Sequence, residues 1–330
     1  MTERAMTASY RWPHAVAIAG LCVAALATPG ARAADTIVVG SVGSASANLW
    51  PVTVGEKKGF FAAEGIKIDM VFVQANAGVI QQLTVDAVDV SVGSGLVDPI
   101  RAVDKGAPLA IVRIEMQRPP YALMAKPAIR SIKDLKGKIV SVGGPKDITR
   151  IFFERMLAPS GVAAKDVDLI YAGATSARLQ ALQAGAADAA LLTAPYNFHA
   201  EAAGFTNLGL ASEAVDMPFS GVSTNRNWAL GHKEALQKFL KVYTKSVAWL
   251  TDPANREEAV QLMMSVSKLS HDDVEHAYDF LIKGGFLEPT GAISKGKLDQ
   301  VVAALKQLGD VPPGFTVDRL FLPDVTNVVD

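Results

Sequence analysis

Short apolar runs alternate with helix-spaced apolar positions along most of this chain. "TIVVGSV" (36–42) is short, β-branched and bounded by glycine, which predicts a buried strand. "PVTVGEKKGFFAAEGI" then carries helical spacing, with Trp50-Pro51 at its start and Gly65 as its stop. "IDMVFV" predicts a second strand, Asn76 the N-cap of a helix bearing Val79, Ile80 and Leu83, and "VSVG" a third strand opened by Asp89. The same order returns at "GKIVSVGG" (strand), "DITRIFFERMLAPSGV" (helix) and "DLIYAG" (strand). A helix capped by Thr175 or Ser176 follows, then the strand "AALLTAP" opened by Asp188. From about His232 onward four amphipathic helices are expected, with Asp252-Pro253 and Ser270/Asp273 as start signals.

Two of these stretches are copies of one device. A shift of 99 positions lays Asp69 on Asp168, Ala75 on Ala174, Leu83 on Leu182, Ala87 on Ala186 and Asp89 on Asp188. A strand–helix–strand unit occurring twice predicts an α/β chain of two lobes, each a mostly parallel sheet flanked by helices and joined by right-handed crossovers. The matched apolar positions are core. The matched aspartates precede strands, where turn chemistry accounts for them, and open sheets bind ligands at the opposite, carboxyl ends. One mismatch is Asp86 against Gly185 at a helix end, which strains a turn rather than a site. Short crossings between lobes are expected near "MQRPPYALM" (116–124) and "VDMPFSGVS" (215–223).

The first residues change the picture of where the chain works. Arg4 and Arg11 precede "AVAIAGLCVAALA", Pro29-Gly30 and "ARA". This is the three-part pattern of a secretory signal, with cleavage expected after Ala33 and an apolar run too short to span a bilayer. Cys22, the chain's one cysteine, lies within it, and Leu21 before it argues against a lipid anchor. The exported chain therefore has no thiol for disulfides, nucleophilic catalysis or metal. Its charge is near −3, which points to neither nucleic acid nor a membrane surface. Half of the 330 residues are hydrophobic and 20% charged, ordinary for a globular chain of this length. No metal site, cofactor or catalytic constellation is expected: His271 and His276 are five apart, and "GGPKDIT" is too short for a phosphate loop.

Candidate chemistry sits where strand ends converge. After the first strand come Ser41, Asn48 and Trp50; after the third, Ser94 and Gly95; in the second lobe Lys146, Asp147 and Thr149, then Thr193 and Tyr196. Ser94 falls on Thr193 under the shift, so each copy offers a hydroxyl at the same strand end. Loops that lead into helix starts present free N–H groups and favour anions. Tyr121 and Phe219 are further aromatic candidates, and Arg113, Arg118 and Arg150 are spare cations. Turn propensity explains the Ser, Gly and Pro equally well; Trp50 reads also as core and Asp147 also as a helix cap.

The segments "TIVVGS", "KKGFFAAEGI", "LQALQAGAADAALLTAPY" and "EAAGFTNLG" resemble the substrate-binding proteins of ABC importers in the nitrate/sulfonate/taurine (NMT1/THI5-like) class. The resemblance covers the whole chain after the signal. It implies a two-lobed periplasmic binding protein fold of type II with two crossover strands, lobe I being 34–117 plus 215–330 and lobe II 118–214. It implies a monomer that traps a small organic anion (sulfonate-, nitrate- or aromatic-carboxylate-like) for a membrane permease and ATPase, rather than an enzyme. Lys146 and Asp147 depart from the small hydroxyl residues that sulfonate binders of this class carry there. The rival readings are an exported ligand sensor, and a pyrimidine-biosynthesis enzyme on the same fold, which needs a Cys/His cluster.

Overall fold

A computed structural model describes residues 35–330, which form one compact unit. The expected signal, with Cys22 and the cleavage point after Ala33, lies outside the described residues. Ten strands build two sheets: β1 (Asp35–Val42), β2 (Ile66–Val73), β3 (Val90–Gly95), β4 (Leu109–Met116), β5 (Tyr121–Ala125), β6 (Ile139–Val142), β7 (Asp168–Tyr171), β8 (Ala189–Thr193), β9 (Thr206–Leu210) and β10 (Ser220–Asn225). The first sheet has the order β2-β1-β3-β10-β4 and the second β7-β6-β8-β5-β9. Within them β1 runs parallel to β2 and β3, as β6 does to β7 and β8, whereas β10 and β5 run antiparallel to their neighbours. Each sheet thus receives one strand sent across from the other half, and the chain crosses between them through 117–120 and 215–219.

The duplicated unit is visible in detail. Asp89 Oδ2 accepts the Val38 N–H at 2.7 Å, and Asp188 Oδ2 accepts the Ile139 N–H at 3.0 Å. Both aspartates tie a neighbouring strand, at the end of the sheet opposite the carboxyl ends of the parallel strands. Asp86 and Gly185 both take the left-handed conformation, at φ 58° and 78°. Four long helices follow β10: Lys233–Thr251, Arg256–Ser267, His271–Lys283 and Lys295–Gln307. The first packs on the helix Trp50–Lys57, and the last on Val97–Asp104, so the C-terminal region belongs with the first sheet. Among the described residues no helix is long and apolar enough to cross a membrane.

Three local expectations are corrected. The helix expected over 51–66 breaks in two, Trp50–Lys57 and Phe60–Ala63, because Gly59 sits at φ 70°. Asn76 is the first helical residue, not the cap; Ala75 holds that position. Likewise Ala174, not Thr175 or Ser176, precedes the helix Thr175–Gln183. In both copies the polar residue has moved one place inward, and its side chain points into the space between the sheets.

Candidate functional site

The carboxyl ends of the parallel strands from both sheets face each other, and a cavity of about 50 Å³ lies between them. The first lobe contributes Ser46, Asn48, Asn76, Gly93 and Gly95; the second contributes Tyr121, Asp147, Thr149, Thr175 and Arg178. A wider mouth of about 590 Å³ opens beside it, sharing Asn76 and Asp147 and adding Asp98, Lys146 and Tyr171.

The lobes are closed upon each other. The Ala47 N–H donates to the Ala194 carbonyl at 3.1 Å across the cleft. Gly173, at φ 69°, lies so near Gln74 that a Cβ there would sit 2.2 Å from the Gln74 carbonyl oxygen. At the mouth, Arg101 of the first lobe donates to the Lys146 carbonyl and pairs with Asp310, while Lys146 Nζ lies 3.3 Å from Asp310 Oδ1. These three residues latch one lobe to the other.

The cation of the cavity is Arg178, only 3% exposed. It occupies the inward face of its helix with Thr175, Leu179 and Leu182. Nη1 donates to the Leu191 carbonyl at 2.6 Å and Nη2 to Thr175 Oγ1 at 2.7 Å, while the guanidinium lies 5.4 Å from the Tyr121 ring centre. Nε has no protein partner, and no carboxylate pairs with Arg178 among the described residues. A buried guanidinium held only by neutral groups keeps its positive charge available to an anion. Tyr121 itself meets Phe219 edge-on at 5.1 Å, forming an aromatic wall. Burial pushes the Tyr121 phenol up to about 12, with Arg178 pulling it down and Asp147 pushing it further up.

Polar acceptors complete the lining. Asn76 Nδ2 donates to the Gly95 carbonyl at 3.1 Å and to Asp98 Oδ2 at 2.7 Å, and its Oδ1 is left unpartnered. Asn48 Nδ2 reaches the Gly93 carbonyl at 3.5 Å, and its Oδ1 is also unpartnered. Asp147 caps the helix Ile148–Leu157 through Oδ1, which accepts the Thr149 N–H at 2.9 Å. Asp98 is pushed up to about 6, first by burial and then by the charge of Asp147. Behind the wall, the wholly buried Glu115 accepts the Gly93 N–H at 2.8 Å and the Tyr243 hydroxyl at 2.9 Å, which holds Gly93 in place. Burial pushes Glu115 up to about 7.

Of the residues expected at the site, Asn48, Gly95, Tyr121, Asp147 and Thr149 line the cavity together. Lys146 stands at the mouth, its side chain 72% exposed and turned to Asp310. Ser41 lies behind the lining, donating to the Val92 carbonyl at 2.9 Å. Trp50 is core, and Ser94 is buried with its side chain off the lining. Thr193 donates to the Pro120 carbonyl at 3.1 Å, and Tyr196 packs in the small cluster with Leu179 and Leu182. The three spare cations also leave the site: Arg113 stacks on Tyr243, Arg118 on Phe286, and Arg150 pairs with Glu154 at 2.7 Å. Asn76 and Arg178 were the residues missed. The available signal for Arg178 was a lone charge on the face shared by Leu179 and Leu182.

Two α/β lobes closing on a lined cavity define a ligand-trapping architecture, and solved structures share it. The chain is similar to the alkanesulfonate-binding protein SsuA from Xanthomonas axonopodis pv. citri bound to MOPS, at 19% identity and TM-score 0.71 over 89% of this chain and 98% of that one. It is similar to the periplasmic nitrate-binding protein NrtA from Synechocystis PCC 6803, at 14% identity and TM-score 0.72, over 88% and 86%. It is similar also to the desulfurization enzyme DSZB, at 13% identity and TM-score 0.65, over 88% and 97%. These likenesses establish the fold, that of the periplasmic binding proteins. No curated protein matches the chain. The NMT1/THI5-like family matches residues 46–256, and the chain belongs to that family.

Proposed function

We propose that this chain is the periplasmic solute-binding component of an ABC importer and that it traps a small organic anion between its lobes. The observation that carries the reading is Arg178: a buried guanidinium without an acidic partner, lining the interlobe cavity. The importer role draws support from the family and from neighbours such as the sulfonate- and nitrate-binding proteins. A permease and ATPase at the inner membrane are the partners this role requires. The secretory pattern of the first residues supports a periplasmic location. Neighbours that are binding proteins of ABC importers support binding without turnover.

In this reading Asn48, Gly95, Tyr121, Asp147 and Thr149 contact ligand together with Asn76 and Arg178. Ligand touches both lobes only when they are closed, so it shifts the population toward the closed form. A thermal-shift panel of alkyl and aromatic sulfonates, carboxylates, nitrate and bicarbonate tests the class. A true ligand at 100 times its Kd stabilises by about 2.7 kcal/mol. A saturable shift without chemical change in the compound is the expected result. Response only to cationic or neutral compounds would reject the anion reading.

A further inference from the structure

The two halves meet again at a seam whose elements line neither the cavity nor its mouth. The helix Tyr196–Ala202 packs on β5 and β8 of the second sheet, and also against the helix His271–Lys283. That partner helix belongs with the first half. It packs along Arg256–Ser267, and its Tyr278 hydroxyl donates to the Leu250 carbonyl at 2.6 Å. At the seam the Phe198 ring meets Phe280 edge-on at 5.6 Å and lies 6.0 Å from the His276 ring. Beside this contact His199 Nδ1 stands 3.0 Å from Asp273 Oδ2.

A carboxylate only accepts, so Nδ1 carries the hydrogen and donates it. The Asp273 side chain is 7% exposed, and its carboxylate meets no other side-chain donor among the described residues. An acid so buried is costly unless a donor satisfies it, and here the donor comes from the other half of the molecule. The helix that carries His199 begins two residues after Ala194, whose carbonyl accepts the Ala47 N–H across the cleft. We propose that His199 and Asp273 are positioning residues for closure, a clasp that seats the helix Tyr196–Ala202 and so holds Ala194 on Ala47. The clasp serves the trapping role proposed above, yet it forms between protein groups alone and acts on ligand only through closure.

Hydrogen exchange in the ligand-free protein tests the clasp apart from any ligand. The Ala47 amide exchanges when the lobes part, while the amides of β1 and β8 report global unfolding and serve as controls. His199→Ala is expected to speed Ala47 exchange at least about tenfold, the worth of one hydrogen bond to a charged group, with the controls unchanged. His199→Asn, whose Nδ2 stands where Nδ1 stood, should restore most of the protection. In an Asp273→Ala background, His199→Ala should add nothing further. Ala47 unprotected in wild type, or exchanging no faster in His199→Ala, would overturn the clasp and leave the anion reading intact. Controls that speed up as much as Ala47 would overturn it too, since the change would then be general destabilisation. An equal effect of His199→Ala with and without Asp273 would overturn the pairing.

Discussion

Asp98→Asn should stabilise the protein at neutral pH, although it deletes one side of an ion pair. Asp98 lies 3.3 Å from Arg101, with its side chain 13% exposed, yet its carboxyl is pushed up to about 6. Burial is the main cause, and Asp147 adds to it across the closed cleft, outweighing Arg101 and the Asn76 amide. An aspartate in an unfolded chain titrates near 3.9, so between about pH 4 and pH 6 the folded chain holds a proton that the unfolded chain has released. Stability from this group is complete below about pH 4 and is lost as pH rises through about 6. A separation of about two pKa units corresponds to about 3 kcal/mol. Asparagine mimics the protonated acid at every pH and still accepts from Asn76. The variant should therefore gain about 1–3 kcal/mol at pH 7.5, and nothing at pH 4, in paired urea titrations across that range. Arg101 keeps Asp310 as its partner. A variant less stable than wild type at pH 7.5 would refute the reasoning, because it would mean that Arg101 stabilises the charged form beyond the cost of burial.

Other perturbations follow from single contacts. Gly173→Ala places a methyl where the Gln74 carbonyl stands in the closed form; it should weaken ligand binding by titration, with the folded far-UV spectrum unchanged. Asp86→Gly relieves a left-handed residue at φ 58° and should raise stability by about 1 kcal/mol in urea unfolding. Lys146→Ala cuts a latch contact to Asp310; ligand dissociation in stopped flow should quicken, and its salt dependence should diminish.

The duplicated unit was legible in the sequence because apolar period and turn residues act locally. Apolar runs located both sheets' parallel strands, and the 99-residue shift matched Asp86 to Gly185 at equivalent left-handed turns. β4 was harder to read, since Arg113 and Glu115 interrupt "LAIVRIEM" and yet are buried there. Three of their partners, Thr244, Glu288 and Tyr243, lie more than 120 residues away. The site was legible only in part for the same reason. Helix-cap preference assigned Asn76 outward to a local role, whereas Asp98 and Gly95 draw its side chain into the cleft. Lys146 looked like a ligand contact because its loop faces the cleft; Asp310, 164 positions later, claims its charge. Long-range partners decide where a polar side chain points, and no local pattern encodes them.

The most direct test of the central claim is calorimetric titration of wild type and Arg178→Gln with whichever anion gives the largest thermal shift. One ligand per chain is expected in wild type. Losing the buried charge should cost about 2–5 kcal/mol of binding energy, with the unliganded variant still folded. Equal affinity in the two proteins would contradict the claim and place the ligand outside the cavity that Arg178 lines.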